Sequence, residues 1–165
     1  MFSLAHLHLI LNHLPIVLIP LGLLMLGIGW YRKLSILQYW GLGILGIAGF
    51  FALPVYLTGE EAEHVVEELA GVSEHVLEEH EEWGQRAMII SLMLSSFSIF
   101  TWIRLRQTGK LDARLGGLVL GLGMMACVAL GLTALEGGEI RRPELRGESP
   151  SSMPANSPEE HEVED

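Results

Sequence analysis

Four apolar stretches dominate the chain. They run from about Leu4 to Trp30, from Leu34 to Leu57, from about Ala87 to Ile103, and from Leu115 to Leu135. A helix needs about 20 such residues to cross a bilayer. The third stretch is the shortest, and Trp83 and Trp102 bracket it as interfacial anchors. The first is not built like a cleaved leader: it lacks a basic start, carries histidines, and ends in Trp30-Tyr31-Arg32-Lys33. The amphipathic segment 59–86 predicts helix with a break at Gly71. From about Gly147 the chain is rich in Ser, Pro and Glu, a composition that predicts disorder over 147–165. The pattern predicts an all-α fold. Residues 1–146 would form an integral membrane antiparallel four-helix bundle with an acidic outer helical loop, followed by the disordered tail.

Small residues mark packing faces where lipid supplies no hydrophobic drive between helices. His80, Gly84, Ala87, Ser91, Ser95 and Ser98 form one such stripe on the third span. The first span offers His6, His13, Pro20 and Gly27, the second Gly46, Gly49, Leu53, Tyr56 and Glu60, and the fourth Gly117, Gly121, Met124, Val128 and Gly131. Pro15, Pro20 and Pro54 would interrupt the helical ladders near the proposed outer end or within the spans.

Charge sharpens this picture. Of 165 residues, half are hydrophobic, yet 20 acids against 10 Lys and Arg leave a net charge of -10. The mean hydropathy is +0.39. Arg32 and Lys33 lie between spans one and two, and Arg104, Arg106, Lys110 and Arg114 flank the link between spans three and four. The positive-inside rule makes both links cytoplasmic, so both termini and the 59–86 loop face the periplasm of a bacterial inner membrane. Six of the ten basic residues then lie inside with one acid, Asp112, for a net of +5, against -15 outside. All seven histidines fall on the outer side. So acidic a chain without a basic patch argues against nucleic acid.

Ionisable side chains within a span are costly and point to function. His13, in Asn12-His13-Leu14-Pro15, lies below the expected interface, and His80 heads the small-residue stripe of span three. Two neutral imidazoles from different helices suit axial ligation of heme b, with Gly84 giving the macrocycle room and Arg86, Arg141 or Arg142 near the propionates. The rival is a single transition-metal ion, zinc, copper or iron, held by a set drawn from His6, His8, His13, His75, His80 and Glu79. Glu61-x-x-His64 has the spacing of half a di-iron motif, without a second copy. The lone Cys127 excludes an internal disulfide and reads as packing. Gly41-x-Gly43-x-x-Gly46 matches a dinucleotide fingerprint by letters but lies inside an apolar helix with no strand before it.

His8-Leu9-Ile10-Leu11-Asn12-His13-Leu14-Pro15 resembles the first helix of a bacterial four-helix membrane family of unknown function, whose members open with His-Pro-x-x-x-His-Phe-Pro. Leu9 replaces the first proline here and Leu14 the phenylalanine, the pattern of a divergent member. Thr58-Gly59-Glu60, Glu79-His80-Glu81 and Gly137-Gly138-Glu139-Ile140-Arg141 resemble further blocks of that family. Relatives often carry histidine where Arg142 stands, and some are joined to redox domains such as Rieske modules. The resemblance therefore implies electron transfer.

These readings converge on a small membrane redox protein with heme b near the periplasmic face, His13 and His80 being the axial pair. It would exchange electrons with a larger respiratory complex or with a basic periplasmic carrier drawn to the ten glutamates of 59–82. Two other classes stay open: a metal-handling membrane protein, and a cofactor-free accessory subunit. With no nucleophile–base arrangement or hydrolytic motif, an independent enzyme is the weakest reading.

Overall fold

The computed structural model describes residues 4–67 and 74–140, and these are all-helical. The elements are α1 (Leu4–Leu11), α2 (His13–Tyr31), α3 (Ser35–Glu67), α4 (Glu74–Thr108) and α5 (Ala113–Glu139). Four stretches are long and apolar enough to cross a membrane: His6–Tyr31, Ser35–Gly59, His75–Thr108 and Ala113–Glu139. The expected acidic loop is therefore largely an extension of two long helices. α3 runs on to Glu67, and α4 begins at Glu74. The break expected at Gly71 and the tail 147–165 lie outside the described residues.

The first span is interrupted at Asn12, between α1 and α2. Pro15 has no N–H to return to the carbonyl one turn back, so the ladder must loosen there. Asn12 nevertheless keeps helical angles (φ -61°, ψ -26°), and its N–H donates to His8 O at 3.0 Å. The chain therefore continues through the break without turning aside. Pro20 sits within α2 on an exposed face, away from the helix contacts.

The α2–α3 link is a Schellman closure with lysine in the left-handed position. Lys33 has φ 57°, its N–H donates to Trp30 O at 3.3 Å, and Leu34 N–H donates to Gly29 O at 2.8 Å. At the other link Gly109 supplies φ 70°, and Asp112 caps α5 by accepting from Arg114 N at 2.8 Å and Leu115 N at 3.2 Å.

α2, α3, α4 and α5 share one core, centred on Ile19, Leu26, Leu42, Leu45, Leu94, Val119 and Ala126. Of the stripe predicted for α4, Ala87, Ser91, Ser95 and Ser98 are buried, and His80 and Gly84 are half-buried. On α3 Gly46 and Gly49 are buried as expected, whereas nothing is described of the Glu60 side chain. Two predicted faces are wrong. On the first span His6, His13 and Pro20 are exposed, and the buried positions are Pro15, Ile19, Gly22, Leu23, Leu26 and Gly29. On α5 Gly117, Gly121, Met124, Val128 and Gly131 are all exposed, and Gly116, Val119, Leu122, Gly123, Ala126 and Ala129 are buried. The reason is close backbone approach. A Cβ at Gly41 would lie 2.6 Å from Leu26 N, one at Gly29 2.8 Å from Gln38 N, and one at Gly123 would collide with Leu23. A Cβ at Gly121 or Gly131 would meet nothing within 4 Å.

The exterior is apolar and part of the interior polar. Leu24, Phe50 and Val128 are more than half exposed, while Gln38, Ser91, Ser95, Ser98 and Thr101 are buried. Ser95 Oγ donates across to Gly46 O at 2.6 Å and Gln38 Nε2 to Gly29 O at 3.0 Å. Such bonds weigh more where no water competes.

Candidate functional site: a histidine pair

His8 lies on α1 and reaches α3. Its Nδ1–H donates to Val55 O at 2.9 Å, and Thr58 Oγ1 stands 3.5 Å from the same nitrogen. Pro54 lies one residue before this acceptor, inside α3. Thr58 Oγ1 lies within hydrogen-bond reach of Pro54 O at 2.8 Å and of Val55 O at 3.0 Å, so the Val55 oxygen is shared between the imidazole and the hydroxyl.

His80 lies on α4 and reaches α5, where its Nδ1–H donates to Thr133 O at 2.8 Å. The Thr133 hydroxyl bonds back to Ala129 O at 2.9 Å, which turns its methyl toward Gly84. A Cβ at Gly84 would lie 3.9 Å from that methyl, so Gly84 serves the α4–α5 contact one turn beyond His80. A carbonyl can only accept, so each Nδ1 carries the proton and each Nε2 keeps its lone pair.

The other expected ligands are placed differently. His13 is exposed, and its Nδ1–H donates to Leu9 O of its own span at 2.7 Å. His6 lies on an exposed part of α1. His75 is 78% exposed and stands 3.7 Å from Glu79, an exposed pair on successive turns of α4. Arg86 donates to Glu82 at 2.7 Å and stacks over the Trp83 ring at 4.8 Å. Arg141, Arg142 and His161 lie outside the described residues, and nothing is described of the His64 side chain. Among the described residues no three or more His, Cys, Asp or Glu gather as a metal site. A surface groove of about 600 Å³ lies at the opposite end of α2, lined by Leu23, Leu24, Gly27, Ile28, Tyr31, Arg32 and Leu34, and holds no histidine.

The structure thus seats His8 and His80 alike, each on a main-chain oxygen of a neighbouring helix. The acceptors Val55 and Thr133 escape a reading of the sequence, since a main-chain oxygen has no residue signature. A signal did exist in Thr58-Gly59-Glu60 and Gly137-Gly138-Glu139, since Gly59 and Gly137 are the residues against which the two rings pack. In comparisons with family models, curated proteins and solved structures, none matches this chain.

Proposed function

We propose that the protein is a small redox protein of the bacterial inner membrane that binds heme b between His8 and His80, near the periplasmic face. The observation that carries the reading is the histidine pair. Each ring is anchored through Nδ1 to a neighbouring helix and keeps Nε2 for coordination. Two imidazoles are too few for a bare ion, which takes three or four protein ligands. They suffice for heme, which brings its own nitrogen ligands. When bound, heme would supply a one-electron carrier. His8 and His80 would hold it, and their carbonyl partners would fix the ring orientation. His13, the axial candidate from the sequence, is replaced in this reading by His8.

The membrane placement is supported by the apolar exterior and by two cation–π pairs on α4. Arg86 stands over Trp83 at 4.8 Å and Arg106 over Trp102 at 5.0 Å. Those tryptophans lie about 28 Å apart along the helix at 1.5 Å per residue, close to the hydrocarbon thickness of about 30 Å. An antiparallel order of the helices is supported by contacts such as Gly22 with Leu45, Gly29 with Gln38 and Gly49 with Ser95. By the positive-inside rule, the basic links support an orientation with both termini outside. Exposed Glu78, Glu79, Glu81 and Glu82 beside His80 suit a basic periplasmic electron carrier.

A second reading, a cofactor-free accessory subunit, is favoured by one fact: both imidazoles already serve as helix-to-helix hydrogen bonds. A reduced-minus-oxidised spectrum of the detergent-purified protein, with metal analysis, separates the two. A heme b band at about one heme per chain supports the proposal. Colourless, metal-free protein that also takes up no added hemin supports the accessory subunit.

A further inference from the structure

His8 and His80 are seated in the same way. In the first half of the chain, His8 on α1 donates to the carbonyl of Val55 on α3, and its ring edge packs on Gly59, four residues beyond. In the second half, His80 on α4 donates to the carbonyl of Thr133 on α5, and its ring edge packs on Gly137, again four residues beyond. The sequence separations from donor to acceptor are also similar, 47 and 53. In a helix, residues four apart stack along one face. A carbonyl at one position and a glycine one turn later therefore make an acceptor with a flat wall above it. Any larger side chain would fill the wall. A Cβ at Gly59 would stand 3.2 Å from His8 Cε1, and one at Gly137 would stand 2.9 Å from His80 Cε1 and 3.1 Å from its Nδ1. The next residue, Gly138, has nothing within 4 Å of such a Cβ. The glycine requirement is thus local to the ring and is not a general feature of that helix end.

We infer that Gly59 and Gly137 are positioning residues. With the Val55 and Thr133 carbonyls, they form two matched seats that lock both imidazoles in the Nδ1–H tautomer and leave both Nε2 atoms for a ligand. The locked tautomer stands on geometry alone; that both rings hold one heme b rests on the reading above. Two seats of one design, one in each half of the chain, are what a two-sided ligand requires.

The test uses the full chain, ¹⁵N-labelled at histidine, in detergent without added heme. Imidazole ¹⁵N shifts distinguish a protonated from an unprotonated ring nitrogen. His8 and His80 should each show a protonated Nδ1 and an unprotonated Nε2 at neutral pH, assigned from His8→Ala and His80→Ala. Gly137→Ala should move the His80 signals toward a mixture of tautomers and leave His8 unchanged, and Gly59→Ala should do the reverse. Gly138→Ala should alter neither. In a hemin titration the two seat variants should bind roughly 10–100-fold more weakly, the usual cost of losing an orienting contact to a ligand. Unlocked tautomers in the unmodified chain would overturn the inference without any variant being needed. So would seat variants that keep both the shifts and the hemin affinity of the parent. Locked tautomers in a chain that takes up no hemin would sink the heme reading alone.

Discussion

The Nδ1–H of His80 donates to the main-chain oxygen of Thr133 at 2.8 Å, tying the N-terminal part of α4 to α5 beside Gly137. The bond crosses between two helices, so its loss is expected to register in stability as well as in ligand binding. Removing the ring forfeits one net hydrogen bond, worth about 0.5–1.5 kcal/mol, together with the packing of the imidazole. His80→Ala should therefore unfold more easily in a denaturant series in detergent. His75→Ala, at an exposed residue five positions before His80 on α4, should not. Equal stability of the two variants would contradict the role assigned to the seat.

The close helix approaches make a second prediction. A Cβ at Gly41 meets main-chain atoms of α2, 2.6 Å from Leu26 N, and one at Gly49 meets Ser91 O. Backbone cannot swing aside as a side-chain tip can. Gly41→Ala and Gly49→Ala should each cost about 1–3 kcal/mol, the usual range for overpacking. Gly121→Ala, with open space around it, should be neutral or slightly stabilising through its helix propensity. Thermal melts of the three variants in one detergent decide the matter.

The serines of α4 divide sharply. Ser95 Oγ donates to Gly46 O, whereas Ser91 and Ser98, buried on the same stripe, have no hydrogen-bond partner for their hydroxyls. Ser95→Ala should lower stability by about 0.5–1.5 kcal/mol. Ser91→Ala and Ser98→Ala should leave it unchanged or raise it, because an unpartnered buried hydroxyl only costs desolvation. A loss for Ser91→Ala as large as that for Ser95→Ala would show that the Ser91 hydroxyl has a partner after all.

Lys33 holds φ 57° in the α2–α3 closure. A residue with a Cβ in that region costs roughly 1–2 kcal/mol. Lys33→Gly should recover about 1 kcal/mol, measured as a raised melting temperature. The orientation should persist, because Arg32 and the four basic residues near the other link remain. A reporter fused after Asp165 should accordingly be found in the periplasm in both backgrounds. A cytoplasmic reporter in the unmodified chain would overturn the topology.

How far the fold was legible depended on what distinguishes one helix face from another. The four apolar stretches, the two basic links and the α4 stripe could all be read. On α4 the small, polar residues Ser91, Ser95 and Ser98 contrast with Phe100 and Ile103, and the contrast follows burial. On α2 and α5 that contrast is lost. Leucine and valine suit both lipid and core, so Leu26 is buried and Leu24 is exposed with nothing in the residue type to say which. Glycine misled for the same reason. Gly123 is needed by Leu23, while Gly121 two positions earlier faces outward. His13 drew attention through its depth and its neighbour Pro15, yet its face depends on the phase of a helix that is interrupted at Asn12. His80 was legible because it begins the readable stripe. His8 was legible only as one member of a candidate metal set, because its seat on α3 is a main-chain acceptor.

The central claim is that His8 and His80 together hold one heme. Electron paramagnetic resonance of the oxidised, heme-loaded protein tests it most directly, comparing the unmodified chain with His8→Ala, His80→Ala and His13→Ala. The account predicts a low-spin ferric signal of bis-imidazole type in the unmodified chain and in His13→Ala. It predicts conversion to high spin, or loss of heme, in His8→Ala and in His80→Ala. A low-spin bis-imidazole signal that survives in His8→Ala and disappears in His13→Ala would contradict it.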